Sequence, residues 1–397
     1  MTHFLRTTAV TAGLAIFSML FGAGNLMYPI KVGLNSGDML LTGIVGFLLT
    51  AVLIPVVGLI AIIHFNGNYH QFFARIGTIP GRLLIAFCMA VLGPFYVMSR
   101  NVTVCYTMLK PFLPDAITGI MFSVIFCTLT FLATYKESKI IDLLGHLISP
   151  LLLVSLTIIV IKGLLNPQAL VAQSSHASDI FTHQAKLGYG HLDLLGTIFF
   201  GSIVLSILKS NMKHESNYDI KELSKTGLKA GLIGCFLLAI VYIGLALLGA
   251  YHGVGLESIN IAELFSIISF KILGQSGALV TATAVAMACF STITALAIVL
   301  AEYVQRDIMH HKINYFKSLS LIILLTFIVS CSGIEALLKY AEPLINTLYP
   351  LLMTLTLCNL AFTTLNFKWV KLPVFATLVF SLYINWASYS IYLELLK

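Results

Sequence analysis

Charge is what this chain has least of. Asp, Glu, Lys and Arg make up 10% of its 397 residues while 58% are hydrophobic; soluble domains carry about 25% charge. So little polar surface cannot cover a soluble body of this length. Charge-free runs recur from end to end, which makes the chain a polytopic membrane protein in contact with the lipid bilayer along most of its length. Paired cysteines are missing too. The seven cysteines stand singly, in or beside apolar segments, with no C-x-x-C among them. They read as buried thiols and indicate neither a metal cluster nor a disulfide framework. No G-x-x-x-x-G-K-[ST] phosphate loop occurs, which argues against ATP-driven transport by this chain alone. Acidic residues are nearly absent from the middle of the apolar runs. A membrane-embedded enzyme would need paired carboxylates, a metal cluster or a nucleophile–base pair at that depth, so no enzyme is expected. A cleavable leader is not indicated either: only Arg6 precedes the first apolar run, and that run is longer than a signal-peptide core.

What remains is apolar runs, and these place eleven spans. The first five are about Thr7–Ile30, Met39–Ile63, Leu83–Leu109, Ala116–Tyr135 and Leu143–Ile161. A polar stretch follows, from Gly163 to His191. Spans 6 to 8 are about Asp193–Leu208, Ala230–Tyr251 and Ile272–Ala301, and spans 9 to 11 about Ser318–Gly333, Pro343–Phe367 and Leu372–Leu393. Lys and Arg choose the orientation. With the N-terminus cytoplasmic, the inner loops hold roughly twice as many basic residues as the outer ones, led by Lys209, Lys213, Lys221, Lys225 and Lys229 between spans 6 and 7. The net charge of +7 is therefore a topology signal and no indication of nucleic acid. No obligatory protein partner is evident.

Span 1 contains Phe21-Gly22-Ala23-Gly24-Asn25-Leu26-Met27-Tyr28-Pro29. In a helix, glycine costs about 1 kcal/mol and proline about 3 kcal/mol relative to alanine. At membrane depth the freed backbone groups must also find partners. Such a run predicts a broken helix, with bare N–H groups at one stump and bare C=O groups at the other, able to hold an anion and a cation together. The competing reading is a glycine-rich packing face with a proline kink. Spans 1 and 6 are the two most disturbed by glycine and small polar residues, and each opens a block of five. An odd block size puts the blocks in opposite orientations, which is the arithmetic of a five-plus-five inverted repeat. The expected organisation is a transport core over 1–367, with spans 1–5 at about 7–161 and spans 6–10 at about 193–367, and an extra C-terminal span over 368–397.

Phe-Gly-Ala-Gly-Asn-Leu-x-x-Pro in span 1 resembles the first-helix signature of the branched-chain amino acid transport system II carriers. The resemblance continues through Val32-Gly33-Leu34, Gly93-Pro94, Ser99-Arg100, Ser149-Pro150, Asp193-Leu194-Leu195-Gly196, Ala288-Cys289-Phe290-Ser291-Thr292, Ala301-Glu302-Tyr303 and Tyr349-Pro350. The chain departs from the family at Ile30 and Ser99, where the family has proline, and in having eleven spans where most members have twelve. The resemblance implies an all-α leucine-transporter-like fold with spans 1 and 6 discontinuous. It also implies a sodium-coupled symporter of leucine, isoleucine and valine in a bacterial inner membrane, with Na+ as coupling ion and no other cofactor. By motif position, Phe21, Gly22, Ala23, Gly24 and Asn25 would meet the substrate, the N–H groups of Ala23 and Gly24 holding its carboxylate.

The same carry-over places the cation on oxygens of Ser18, Phe21, Ala288, Ser291 and Thr292. The alternative is that the two hydroxyls only bond back to their own helix. Tyr96, Phe199, Phe200 and Gly201 are candidates for the apolar pocket, or for plain packing. Gly201 and Ser202 are the expected unwound point of span 6. Arg100, the one basic residue well inside a span, is a gate candidate. It is expected to face an outer gate, to pair with Asp193 or Glu342, or to snorkel to the headgroups. The alternative function is a proton-coupled or passive carrier of another neutral metabolite.

Overall fold

The structure, a computed structural model, describes residues 2–135, 143–168, 170, 176–212 and 220–386. Among the described residues the regular structure is helical throughout, without a strand. Span 1 is two helices, Thr2–Leu20 and Ala23–Ser36, separated at Phe21–Gly22. Span 2 runs through Leu40–Leu48 and Ile54–His64, joined by a wide turn at Leu49–Leu53. Span 3 is Thr78–Leu92 and Val97–Leu109, interrupted where Gly93-Pro94 predicts. Spans 4 and 5 are Gly119–Thr134 and Ser149–Leu165. Spans 7 to 10 are Ile220–His252, Ala278–Tyr303, Tyr315–Ser330 and Ile334–Leu365. Span 11 is Lys371–Ile384, and the end of its expected range lies outside the described residues. Six helical stretches are long and apolar enough to cross a membrane alone, and one bent pair adds a seventh. Spans 4, 9 and 11 are shorter apolar helices.

Span 6 differs from its sequence expectation. Its break is at Gly190–Leu192, where helices Ala177–Tyr189 and Asp193–Met212 meet at 41°. Gly201 and Ser202 lie inside a continuous helix. The first half of the span falls in the polar stretch read as a loop. It carries Asp179, His183, Gln184 and Lys186, a composition that a hydropathy window excludes. That half lies against span 2, with Gln184 fully buried and Gly188 against Thr50. Only Ile180, Gln184 and Gly188 are buried; Asp179, His183 and Lys186 stand on the exposed side, so the half-span is amphipathic rather than apolar all round.

Span 1 lies along span 7, and span 6 along span 2. Exchanging the first five spans for the second five turns one pairing into the other, as an inverted repeat requires. Glycine sets the closeness of the first pairing. A Cβ on Gly33 would stand 1.8 Å from the carbonyl oxygen of Ala246, and one on Gly249 would stand 2.1 Å from that of Ile30. Backbone meets backbone here, so the glycine-rich face read from span 1 exists alongside the break rather than instead of it.

A small side chain at Gly33 has nowhere to go. Gly33→Ala is expected to lower stability by about 1–3 kcal/mol, the usual cost of overpacking. At Gly201 the nearest atoms to a Cβ are side-chain carbons, Ile62 Cγ2 at 3.0 Å and Leu59 Cδ1 at 3.2 Å, which can shift. Gly201→Ala also gains helix propensity, so its expected effect is near zero. Unfolding midpoints in detergent check the pair; equal loss at both positions would contradict this packing.

Candidate functional site

Two helix breaks meet at the centre of the bundle. In span 1, Gly22 is extended, so the backbone N–H groups that open the second helix have lost their usual partners. Side-chain amides replace them. The Gly22 N–H donates to Asn25 Oδ1 at 2.9 Å, and the Ala23 N–H donates to Asn101 Oδ1 at 2.8 Å. Asn101 Nδ2 is anchored in turn to the carbonyl of Val97 at 2.9 Å. The expected carboxylate donor at Ala23 is thus engaged by Asn101 in this conformation.

At the break in span 6, Leu192 has a φ of +63°, an uncommon conformation for a residue with a side chain. Nη1 of Arg100 donates to the freed carbonyl of Gly190 at 2.8 Å and to Tyr96 Oη at 3.2 Å. Asp193 opens the second helix, where a carboxylate complements the helix dipole. Its Oδ2 accepts from the Tyr242 hydroxyl at 2.8 Å and from Asn25 Nδ2 at 3.3 Å. Asn25 Nδ2 also contacts Tyr242 Oη. His191 Nδ1 lies 3.2 Å from Tyr242 Oη and 3.5 Å from Asp193 Oδ2. Asn25 therefore belongs to both breaks: it caps span 1 and donates to span 6.

Between the breaks lies a small cavity of about 20 Å³, room for about one water. Gly22, Asn25, Arg100, Asn101, His191, Asp193 and Thr292 supply its polar wall; Met19, Leu20, Leu92, Val97, Phe200 and Leu296 supply the apolar one. An amino acid requires this space to open. Phe21 is buried, stacking on Phe17 and on Tyr242. Gly24 presents its bare Cα to Arg100 Nη2, which a Cβ would approach to 2.9 Å. Tyr96 touches the site through Arg100, whose guanidinium carbon is 4.9 Å from the Tyr96 ring centroid. Phe199 and Ser202 are elsewhere: both line a separate space with Tyr69, Val299 and Glu302, and the Ser202 hydroxyl donates to the Gly67 carbonyl. Gly201 meets span 2. Of the expected aromatic pocket, only Phe200 lines the cavity.

Arg100 is buried, 2% exposed, so it does not snorkel. It forms no ion pair with Asp193, and the Glu342 side chain lies outside the described residues.

The five expected cation ligands behave differently from one another. Ser291 Oγ donates to the carbonyl of Ala288 at 3.0 Å, and Ser18 Oγ to that of Ala15 at 3.2 Å, both within their own helices. Thr292 Oγ1 is buried without a hydrogen-bond partner. It sits at the span-1 break, 2.9 Å from where a Cβ on Gly22 would be. The Gly22 N–H, turned towards Asn25, does not close a helical bond to the carbonyl of Ser18. An orphan hydroxyl at a helix break is a donor that a small hard cation takes.

Asn101, His191 and Tyr242 were not singled out from sequence. Asn101 had a signal, a buried-type amide next to Arg100 in span 3. Tyr242 had none, being one of two tyrosines in a long apolar helix.

The family profile described as "Branched-chain amino acid transport protein" matches residues 6–396. The branched-chain amino acid permease BraB of Bacillus subtilis (strain 168) is 27% identical over 350 residues, covering 86% of this chain and 77% of that one. The branched-chain amino acid permease BrnQ of Escherichia coli (strain K12) is 26% identical over 392 residues, covering 96% and 87%. Among solved structures, a Na+-coupled sialic acid symporter in a substrate-bound outward-open state superposes with a TM-score of 0.57 at 14% identity, over 94% of this chain and 88% of that one. Mhp1, a nucleobase-cation-symport-1 family transporter in a closed conformation, gives 0.59 at 12% identity, over 96% and 92%. The likeness fixes the fold as leucine-transporter-like.

Capping of the span-1 break gives a direct check. Asn101→Ala leaves the buried Ala23 N–H without an acceptor, at an expected cost of about 1–3 kcal/mol. Thermal unfolding of the purified protein measures it, and an unchanged midpoint would mean that Asn101 does not hold the break.

Proposed function

Because this chain belongs to the branched-chain amino acid transport protein family, we propose that it is a secondary symporter importing leucine, isoleucine and valine on the sodium gradient by alternating access. Family membership makes it a membrane transport protein and not an enzyme. The observation that carries the finer reading is the juxtaposition of two helix breaks around one small cavity with an unpartnered threonine hydroxyl at its edge.

The chemistry follows from that wall. Leu20, Leu92, Val97, Phe200 and Leu296 suit a branched aliphatic side chain once the cavity opens. Against these apolar residues a charged side chain would lose its hydration with no partner among them, at a cost of several kcal/mol. Lysine and glutamate are therefore expected not to compete with leucine for uptake; equal competition would overturn the pocket assignment. Ser18, Phe21, Ala288, Ser291 and Thr292 would hold the sodium ion, with Thr292 as the ligand that has no other task. The N-terminus is placed in the cytoplasm by the basic inner loops, in a bacterial inner membrane.

A second reading has its own observation. Asp193 and His191 on the cavity wall form an ionisable cluster with Tyr242 behind them, which suits a proton-coupled carrier. Leucine uptake into proteoliposomes, driven separately by a sodium or a proton gradient, separates the two. Sodium-driven accumulation at equal pH supports the first; accumulation on a proton gradient without sodium supports the second.

The sodium site predicts an asymmetry between adjacent hydroxyls. Thr292→Val removes an orphan oxygen, so it should leave the sodium-free protein as stable or slightly more so. A lost ligand worth about 1–3 kcal/mol raises the sodium concentration for half-maximal uptake by roughly 5- to 150-fold. Ser291→Ala, whose hydroxyl is already bonded at 3.0 Å, should have the smaller effect. Sodium titration of uptake, with unfolding midpoints in zero sodium, measures both. Unchanged sodium dependence in Thr292→Val would remove the cation from this patch.

A further inference from the structure

Two full charges line the central cavity without touching each other. Arg100 is 2% exposed and Asp193 is 3% exposed, and both are in the cavity wall. Burying either charge in a membrane protein costs several kcal/mol unless it is paired. Yet the polar contacts of the guanidinium are Tyr96 Oη and the Gly190 carbonyl, both through Nη1. Nε has no partner at all, and Nη2 faces the bare Cα of Gly24. One edge of the fork, Nε with Nη2, is therefore unspent. That edge is the one that grips a carboxylate through two parallel hydrogen bonds.

Asp193 is built in a complementary way. Its hydrogen bonds come from the neutral donors Tyr242 and Asn25, and the His191 ring is 3.5 Å away. A carboxylate held in this way retains lone pairs for a further donor. The two charges rest on consecutive residues of the span-1 break: Arg100 against Gly24, Asp193 against Asn25. Successive Cα atoms are about 3.8 Å apart, a separation on the scale of one small dipolar molecule.

We infer that Arg100 and Asp193 form a clamp for the two ends of a zwitterion. Arg100 takes the α-carboxylate of the substrate through Nε and Nη2, and Asp193 takes its α-ammonium. The inference rests on the reading of this chain as an amino acid carrier and deepens it, because it replaces bare backbone groups with fixed charges as the main recognition elements. It also explains why the charges are held apart: paired with each other they would leave nothing for the substrate to neutralise. Asn101 already occupies the Ala23 N–H, one of the two backbone donors expected from sequence.

The test uses purified full-length protein in lipid nanodiscs, with competition against labelled leucine. Leucinamide lacks the carboxylate and 4-methylpentanoate lacks the ammonium. The wild type is expected to prefer leucine over each by at least ~10-fold. Arg100→Gln should weaken leucine by about 10- to 100-fold and bring leucine and leucinamide level, while keeping the preference over 4-methylpentanoate. Asp193→Asn should do the reverse. A residue that only braces the helix break would lower all three ligands together and leave the ratios alone. Arg100→Lys and Asp193→Glu keep the charge and serve where the neutral variants do not fold. Each should weaken leucine and erode its own ratio in part. Folded variants with wild-type ratios and a wild type that binds leucine overturn the clamp and leave the carrier reading standing. A wild type that ignores leucine but binds another neutral α-amino acid with the predicted ratio changes keeps the clamp and overturns the branched-chain assignment. A wild type that binds no α-amino acid overturns both.

Discussion

A transmembrane helix that stops halfway must give its backbone groups new partners, and in lipid only the protein can supply them. That constraint governs the centre of this molecule. Span 1 stops at Phe21–Gly22 and span 6 at Gly190–Leu192. The stumps are capped by side chains from elsewhere: Asn25 takes the N–H of Gly22, Asn101 that of Ala23, and Arg100 donates to the carbonyl of Gly190. Two of those three caps are neighbours on span 3. Span 3 thus braces both breaks at once, and a shift of that span would disturb them together.

The same caps are what give the site its chemistry. Asn25 faces both ways, accepting from Gly22 and donating to Asp193. Tyr242 on span 7 ties Asp193 to His191 and Asn25. Span 7 is also the helix that span 1 follows along its length, at a distance set by Gly33 and Gly249. Packing that needs no side chain at those glycines therefore sets where the Tyr242 hydroxyl can reach. The small cavity of about 20 Å³ lies where these hydrogen bonds converge.

Legibility in the sequence follows the strength of the local signal. The span-1 break was readable because Gly22, Gly24, Asn25 and Pro29 contradict a helix within a run too apolar to be anything else. The span-3 interruption at Gly93-Pro94 was readable on the same ground. The span-6 break was misplaced to Gly201 because the true half-span, Ala177–Tyr189, is polar and reads as a loop. Ile180, Gln184 and Gly188 meet protein while Asp179, His183 and Lys186 lie on the exposed side, and a hydropathy pattern reports only an apolar span.

The sequence by itself determined that this chain is an all-helical membrane protein with a broken first span and the motif set of its family. Those are properties of composition and of short runs, where each residue acts on its own neighbours. Tertiary structure alone decided which of two adjacent hydroxyls is left over, with Ser291 bonded to Ala288 and Thr292 orphaned at Gly22. It alone brought Arg100 and Asp193 to one cavity from spans 3 and 6, with Tyr242 of span 7 bonded to Asp193. The reason is physical: a buried polar group is defined by what lies across from it, and that partner is set by helix packing over separations as large as the 168 residues between Asn25 and Asp193.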